Sequence, residues 1–138
     1  MIVFYPIKPV YSKKILDGEK IYELRKRLPS KYFDYVLIYS TTPVAKVVAY
    51  AKVKAVHRKK TDELWEMVST FSGINKEDYM SYFDGNDYAC AIELEDIKRF
   101  KRPFDVKEIS LLFKVPQSFC YINRKDFNRL KRRKTESV

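Results

Sequence analysis

Apolar and polar positions alternate with a period of two from Ile21 to Arg27, where Tyr22 and Leu24 fall on one side and Glu23, Arg25 and Arg27 on the other. That is the pattern of a half-buried strand. A longer alternation runs through KVVAYAKVKAVHRK, with Val47, Ala49, Ala51, Val53 and Ala55 on one face and Lys46, Tyr50, Lys52, Lys54 and Arg58 on the other. The small apolar face suits the inside of a tightly curved barrel. DYACAIELEDIKRF returns to strand with Tyr88, Cys90, Ile92 and Leu94 together, and residues 1–8 read as a further strand. The run YVLIYS, Tyr35 to Ser40, is almost continuously apolar and predicts a central strand. Helical spacing takes over elsewhere. PVYSKKILDG opens on Pro9 in its first turn and closes on Gly18. TDELWEMVSTFSG carries acids in its first turn and Leu64, Val68 and Phe71 as its buried stripe; NKEDYMSYFDG is capped by Asn75 and buried through Tyr79, Tyr82 and Phe83. Gly18, Gly73 and Gly85 each fall where a helix ends, so no glycine remains for a phosphate-cradling loop.

Composition narrows the class. With 138 residues, 46% hydrophobic and 15% aromatic, the chain is expected to close one core without a metal or a disulfide framework. Cys90 and Cys120 lack CxxC spacing and read as reduced thiols, which predicts a cytoplasmic protein. The N-terminal MIVFYPIKPVYSKK has neither a basic n-region nor a small-residue cleavage site, and nowhere do enough apolar residues run together to cross a membrane. No membrane partner is expected.

Charge is uneven along the chain. The net charge is +10, and residues 124–138 hold seven basic residues against Asp126 and Glu136, or +5. A basic tail, 123–138, is therefore set apart from the body, 1–122, with a short helix expected to fray into disorder at RRKTESV. A polyanion would have to be met by a local patch rather than by a uniformly positive surface. On Lys46–Arg58, lysines interleaved with Tyr50 can track a phosphate backbone while the ring stacks a base, or they can be an ordinary solvated face; the tail is open to the same two readings.

The candidate chemistry is sparse. His57 is the single histidine and is read as structural or surface, so neither a zinc set nor a Ser-His-Asp arrangement is available. No cofactor or metal is expected. Lys20, Glu23, Arg25 and Arg27, by contrast, gather within DGEKIYELRKR.

IKPVYSKKILDGEKIYELRKR resembles the signature of the ASCH domain, a branch of the PUA-like superfamily, in which a strand, a short helix and Gly-x-Lys-x-x-Glu-x-Arg follow in order. Gly18, Lys20, Glu23 and Arg25 fit that pattern. VLIYSTTPVAKVVAYAKVKAV, the helical insertion ELWEMVSTFSGINKEDYMSYFDG, the strand DYACAIEL and the closing PQSFCYI resemble the family's order as well, over residues 1–122. The resemblance implies an α+β, PUA-like β-barrel of about five to six strands with a short N-terminal helix and a two-helix insertion. It also implies a cleft beside the motif and RNA as the partner; the sequence leaves the oligomeric state open, with a monomer favoured.

Lys20 can then meet a phosphate as a point charge, Arg25 offers a planar fork, and Glu23 orients Arg25 or accepts from an exocyclic amine. Tyr22, Tyr39 and Tyr121 are candidates for stacking splayed bases. Arg27, Ser40, Tyr50, Lys52, Gln117 and Ser118 complete the candidate RNA contacts. Some members of the family resemble hydrolases, either ribonucleases or amidohydrolases that deacetylate acetylcytidine. The amidohydrolase type has a threonine where this chain has Glu23, and a carboxylate does not replace a hydroxyl nucleophile. If the protein is an enzyme, Lys20, Glu23 and Ser118 are the expected catalytic set of a metal-free ribonuclease. The sequence thus favours an RNA-binding module, with an RNA hydrolase as the alternative and an interaction module of a regulatory complex, using the tail, as the third reading.

Overall fold

The computed structural model describes residues 1–138. In chain order the elements are β1 (Ile2–Ile7), α1 (Pro9–Leu16), β2 (Tyr22–Arg25), β3 (Tyr35–Ser40), β4 (Lys46–Lys60), α2 (Thr61–Val68), α3 (Lys76–Tyr82), β5 (Tyr88–Phe104), β6 (Cys120–Ile122), α4 (Arg124–Lys131) and β7 (Thr135–Ser137). A short 3-10 turn, Ser69–Phe71, links α2 to α3. The seven strands form one mixed sheet in the order β2-β5-β4-β3-β1-β6, with β7 on β5. β1 and β3 run parallel, which the crossover through α1 and β2 permits, and the remaining pairs are antiparallel. The fold is α+β, as expected, but the sheet is not closed: β2 and β6 remain edges. No helix is long and apolar enough to cross a membrane.

Both faces of the sheet are covered, and this explains the apolar runs. Along β1, Val3, Tyr5 and Ile7 enter one cluster with Val36, Ile38, Ala51 and Leu94. Ile2 and Phe4 enter a second with Leu37, Phe100, Phe127 and Leu130. A strand buried on both sides has no polar face, hence YVLIYS. β4 departs from its expected alternation for the same reason, and because its pairing with β5 shifts register between Val47 and Ala49 and again near Tyr50. Val47 and Tyr50 therefore join the second cluster while Val48, Ala49 and Ala51 join the first. Tyr50 is core on a face that the sequence assigned to solvent.

The tail does not fray. Phe127 and Leu130, one helical turn apart, are wholly buried in the second cluster, and the Asn123 carboxamide accepts from the Asp126 N–H at 2.8 Å to cap α4. After α4 the chain pairs with β5 through Lys98↔Ser137 and Phe100↔Thr135. A segment whose composition reads as disordered is held by two apolar side chains.

The insertion α2–α3 sits where β4 and β5 end, and packs Leu64, Val68, Tyr79 and Phe83 on Leu24, Ala89 and Ala91. Phe71 is not part of that stripe. The chain tightens into the 3-10 turn after Val68, which rotates Phe71 outward to 48% exposure.

Candidate functional site

Lys20 follows the αL turn at Gly18 (φ +81°) that closes α1, and its N–H donates back to the Lys14 carbonyl at 3.2 Å. Its side chain runs inward beneath the α2–α3 connection and donates from Nζ to the buried Ser72 carbonyl at 2.7 Å. Gly73 makes room: a Cβ there would stand 3.0 Å from Lys20 Cδ, and its φ of +72° already disfavours any other residue. Lys20 and Glu23 have side chains only 3% and 8% exposed and lie 3.7 Å apart. Glu23 also accepts from Arg25 Nη2 at 2.8 Å, because period-two spacing puts both on one face of β2.

Arg25 does more than pair. From the β2 edge its guanidinium reaches the other edge of the sheet, donating to the Pro6 carbonyl of β1 at 3.0 Å and to the Ser118 carbonyl before β6 at 3.4 Å. Its Cζ lies 4.3 Å from the centre of the Tyr5 ring. One side chain thus spans the seam that strand pairing leaves open. The Tyr5 hydroxyl and Arg25 Nε are buried and without a hydrogen-bond partner. Burial raises the Tyr5 hydroxyl's pKa far above the usual phenol value, so it stays a donor. Burial lowers the Lys20 pKa, with the Glu23 carboxylate pulling the other way.

Lys20, Glu23 and Arg25 form the floor of a cavity of about 680 Å³, with Lys8, Tyr11, Thr41 and Tyr82 among its walls. A shallower bay of about 450 Å³ over Lys14 adjoins it and shares Tyr11, Ile74 and Asp78. Nowhere do three His, Cys, Asp or Glu side chains gather to hold a metal ion.

Of the residues expected from sequence, Lys20, Glu23, Arg25 and Gln117 line this cleft. Ser118 lies beside it, exposed, and contributes its carbonyl to Arg25. Ser40 is buried and bonds Ser12 at 2.8 Å, tying α1 to β3. The structure does not bring the others there. Arg27 lies past the end of β2 in an exposed bend. Tyr22 points to the opposite face, edge-on to His57 at 6.4 Å between ring centres. Tyr39 is core, 5.5 Å from Phe4, and Tyr50 is core against Phe100 and Phe127. Lys52 opens into a separate concavity. Tyr121 packs on Phe119 and accepts from the Lys31 N–H at 3.1 Å. His57 bonds Glu93 at 2.9 Å on the outer face of the sheet.

Lys8 and Tyr82 line the cleft, and Tyr5 lies buried under Arg25; the sequence reading missed all three. Tyr5 and Lys8 come from β1 and the start of α1, Tyr82 from the distant α3, and no local spacing announces them.

Three comparisons bear on this arrangement. The family profile described as "ASCH domain" matches residues 6–104. An "ASCH domain-containing ribonuclease" of Zymomonas mobilis is 29% identical over 126 residues, covering 88% of this chain and 84% of that protein. The crystal structure of ASCH from Zymomonas mobilis superposes with a TM-score of 0.87 at 28% identity, over 99% of this chain and 97% of the other. The N-terminal domain of Staphylothermus marinus McrB shares the fold alone, with a TM-score of 0.64 at 10% identity over 96% of this chain and 93% of that one. With a matching profile over most of its length and a shared fold, the chain belongs to the ASCH domain family.

Proposed function

We propose that the protein is a ribonuclease that takes a single-stranded stretch of RNA into the cleft above Lys20, Glu23 and Arg25. The observation that carries this is the convergence of an ammonium, a carboxylate and a guanidinium, 3.7 and 2.8 Å apart, on the floor of one cavity of about 680 Å³. A cavity of that size suits a splayed nucleotide and not a duplex. The name of the Zymomonas mobilis relative, a ribonuclease, supports the reading.

In cleavage by internal attack the ribose 2′-oxygen bonds to its own phosphorus while the next nucleotide's 5′-oxygen leaves. A base takes the 2′-hydroxyl proton, an acid gives one to the leaving oxygen, and a fixed cation meets the charge on the phosphoryl oxygens. Glu23 is the base, Lys20 the acid and Arg25 the fixed cation. The lowered Lys20 pKa eases its loss of a proton. Afterwards Glu23 holds a proton and Lys20 lacks one, and transfer across their 3.7 Å gap restores the starting state.

The experiment is incubation of end-labelled single-stranded and duplex RNA with the wild type, Glu23→Gln and Lys20→Ala. Cleavage of the single strand alone is expected, falling by about a hundredfold or more in Glu23→Gln while binding survives. The second reading is an RNA-binding module without turnover, favoured by the backbone carbonyls that already hold Lys20 and Arg25 in place. Wild-type protein that binds the single strand but cuts no faster than Lys20→Ala selects it.

A further inference from the structure

A second concavity, about 370 Å³, shares no residue with the cleft; Tyr35, Tyr50, Lys52, Asp96, Lys98 and Lys131 line it. Its three lysines come from β4, β5 and α4 and line one bowl. None of them takes part in an ion pair. Nearby cations are treated differently: Lys54, two positions along β4, meets Glu93 at 3.5 Å, and Lys101 on β5 meets Glu136 at 3.8 Å. Lys98 Nζ is steered by the Ser137 hydroxyl at 2.7 Å. The Lys131 ammonium stands 4.7 Å from the Tyr35 ring centre, fixed by the burial of Phe127 and Leu130 on its own helix.

Three ammonium groups around one bowl outnumber its single carboxylate, Asp96, which pairs with none of them, and an anion with several oxygens offsets the remaining repulsion. We infer that Lys52, Lys98 and Lys131 form a phosphate-binding site, which on the proposed function takes a backbone phosphate of the RNA strand outside the cleft. The rings of Tyr35 and Tyr50 give the bowl a rigid floor, and their hydroxyls are free to donate. Recognition here is of phosphate and carries no sequence preference. The tail thereby acts through an ordered helix: Lys131 lies beyond residues 6–104, the span of the family match.

The test is the triple variant Lys52→Gln, Lys98→Gln, Lys131→Gln, which keeps the packed stems. Its far-UV spectrum and thermal midpoint are checked against the wild type. Affinity for a 20-nucleotide single strand is expected to fall by about tenfold, with the salt slope reduced by roughly 0.7, the share of one phosphate contact. A trinucleotide, which fills only the cleft, should bind and be cut within about twofold of the wild type. Equal losses on both lengths, or no loss on either, overturn the site. Inorganic pyrophosphate separates this inference from the ribonuclease reading. Shifts of the Lys52, Lys98 and Lys131 amide resonances in the wild type but not in the triple variant uphold the phosphate site even if no RNA binds. Their absence at millimolar pyrophosphate, with RNA binding unchanged in the variant, removes it.

Discussion

The cleft floor and the basic bowl are built from the same materials, lysine and tyrosine, and treat charge in opposite ways. On the cleft floor Lys20 and Glu23 are almost wholly enclosed, and each formal charge has an opposite charge or a carbonyl against it. In the bowl three ammonium groups face solvent with no carboxylate paired to any. The difference follows from burial. A charge taken out of water must be matched locally or it is neutralised, whereas an exposed one is screened by solvent and salt. The cleft can therefore hold a reacting group in a fixed place, at a high cost if any member is lost. The bowl gives attraction without fixed geometry, and each member is dispensable. Orientation and affinity are thus divided between two surfaces of one small fold.

The largest expected effect is Lys20→Met, which keeps the stem and deletes the ammonium. Glu23 then faces Arg25 alone, and the Ser72 carbonyl loses its donor inside the fold. Breaking a buried pair from one side should cost about 3 kcal/mol in urea-induced unfolding, and RNA turnover should disappear. A loss below about 1 kcal/mol would break the comparison, since Lys20 would then behave like a bowl lysine. Arg25→Lys comes next. An ammonium cannot reach Glu23, Pro6 and Ser118 together, so the seam between β2 and β1 loses its bridge. About 2 kcal/mol is expected, with faster amide exchange along β2 and before β6.

Much of this division was legible in the sequence, though not the reason for it. The pairing of Glu23 with Arg25 follows from period-two spacing, β3 starts and stops where YVLIYS does, and the Asn75 cap sits where expected, because each of these is local. Events between distant segments were not legible. Tyr39 and Tyr50 read as stacking residues on an open face because nothing near them foretells that α4 folds back across that side. The short tail helix is expected from the sequence, but RRKTESV reads as fraying because charged residues outnumber its apolar ones; Phe127 and Leu130 dock the helix before it, and Thr135–Ser137 pair with β5. The barrel stays open, with Arg25 bridging its edges, and a strand pattern cannot distinguish a seam closed by a ladder from one closed by a side chain. Lys8 and Tyr82 join the cleft, and Tyr5 comes to lie under Arg25, only through tertiary packing of β1, the start of α1 and α3.

Alkaline pH separates the two regions without mutating the bowl. Burial lowers the Lys20 pKa below its ordinary value of 10.5, so between the two values the unfolded chain holds a proton that the folded one has released. Stability gained through this group therefore rises with pH up to 10.5 and is lost as pH falls through the folded value. Tyr79 works the other way. Burial, with Asp62 adding to it, pushes its pKa up from 10.0 to about 12, so its contribution is full below 10.0 and fades between there and 12. Urea midpoints measured from pH 7 upward should show Lys20→Met losing the rising slope. Tyr79→Phe should shallow the falling one, which the buried Tyr5 and Tyr82 share, and cost about 1 kcal/mol at neutral pH from the 2.7 Å bond to the Thr61 carbonyl.

The smallest expected effect is the sharpest test of how cheap a bowl charge is. Lys52→Gln removes one exposed, unpaired ammonium, and nothing in the fold leans on it, so stability should change by less than about 0.5 kcal/mol. Affinity for a long single strand should fall by about two- to threefold near physiological salt. The loss should widen at low salt, where the Debye length grows past about 10 Å and each remaining charge acts farther. Lys54→Gln is the matched control. It lies on the same strand two positions away, but its charge is already spent on Glu93 at 3.5 Å, so long-strand affinity should stay within about 1.5-fold at every salt concentration. Equal losses from both substitutions would mean that β4 presents one diffuse field and that the bowl has no standing of its own. A loss confined to Lys52, growing as salt is withdrawn, would place a phosphate on the unpaired lysine.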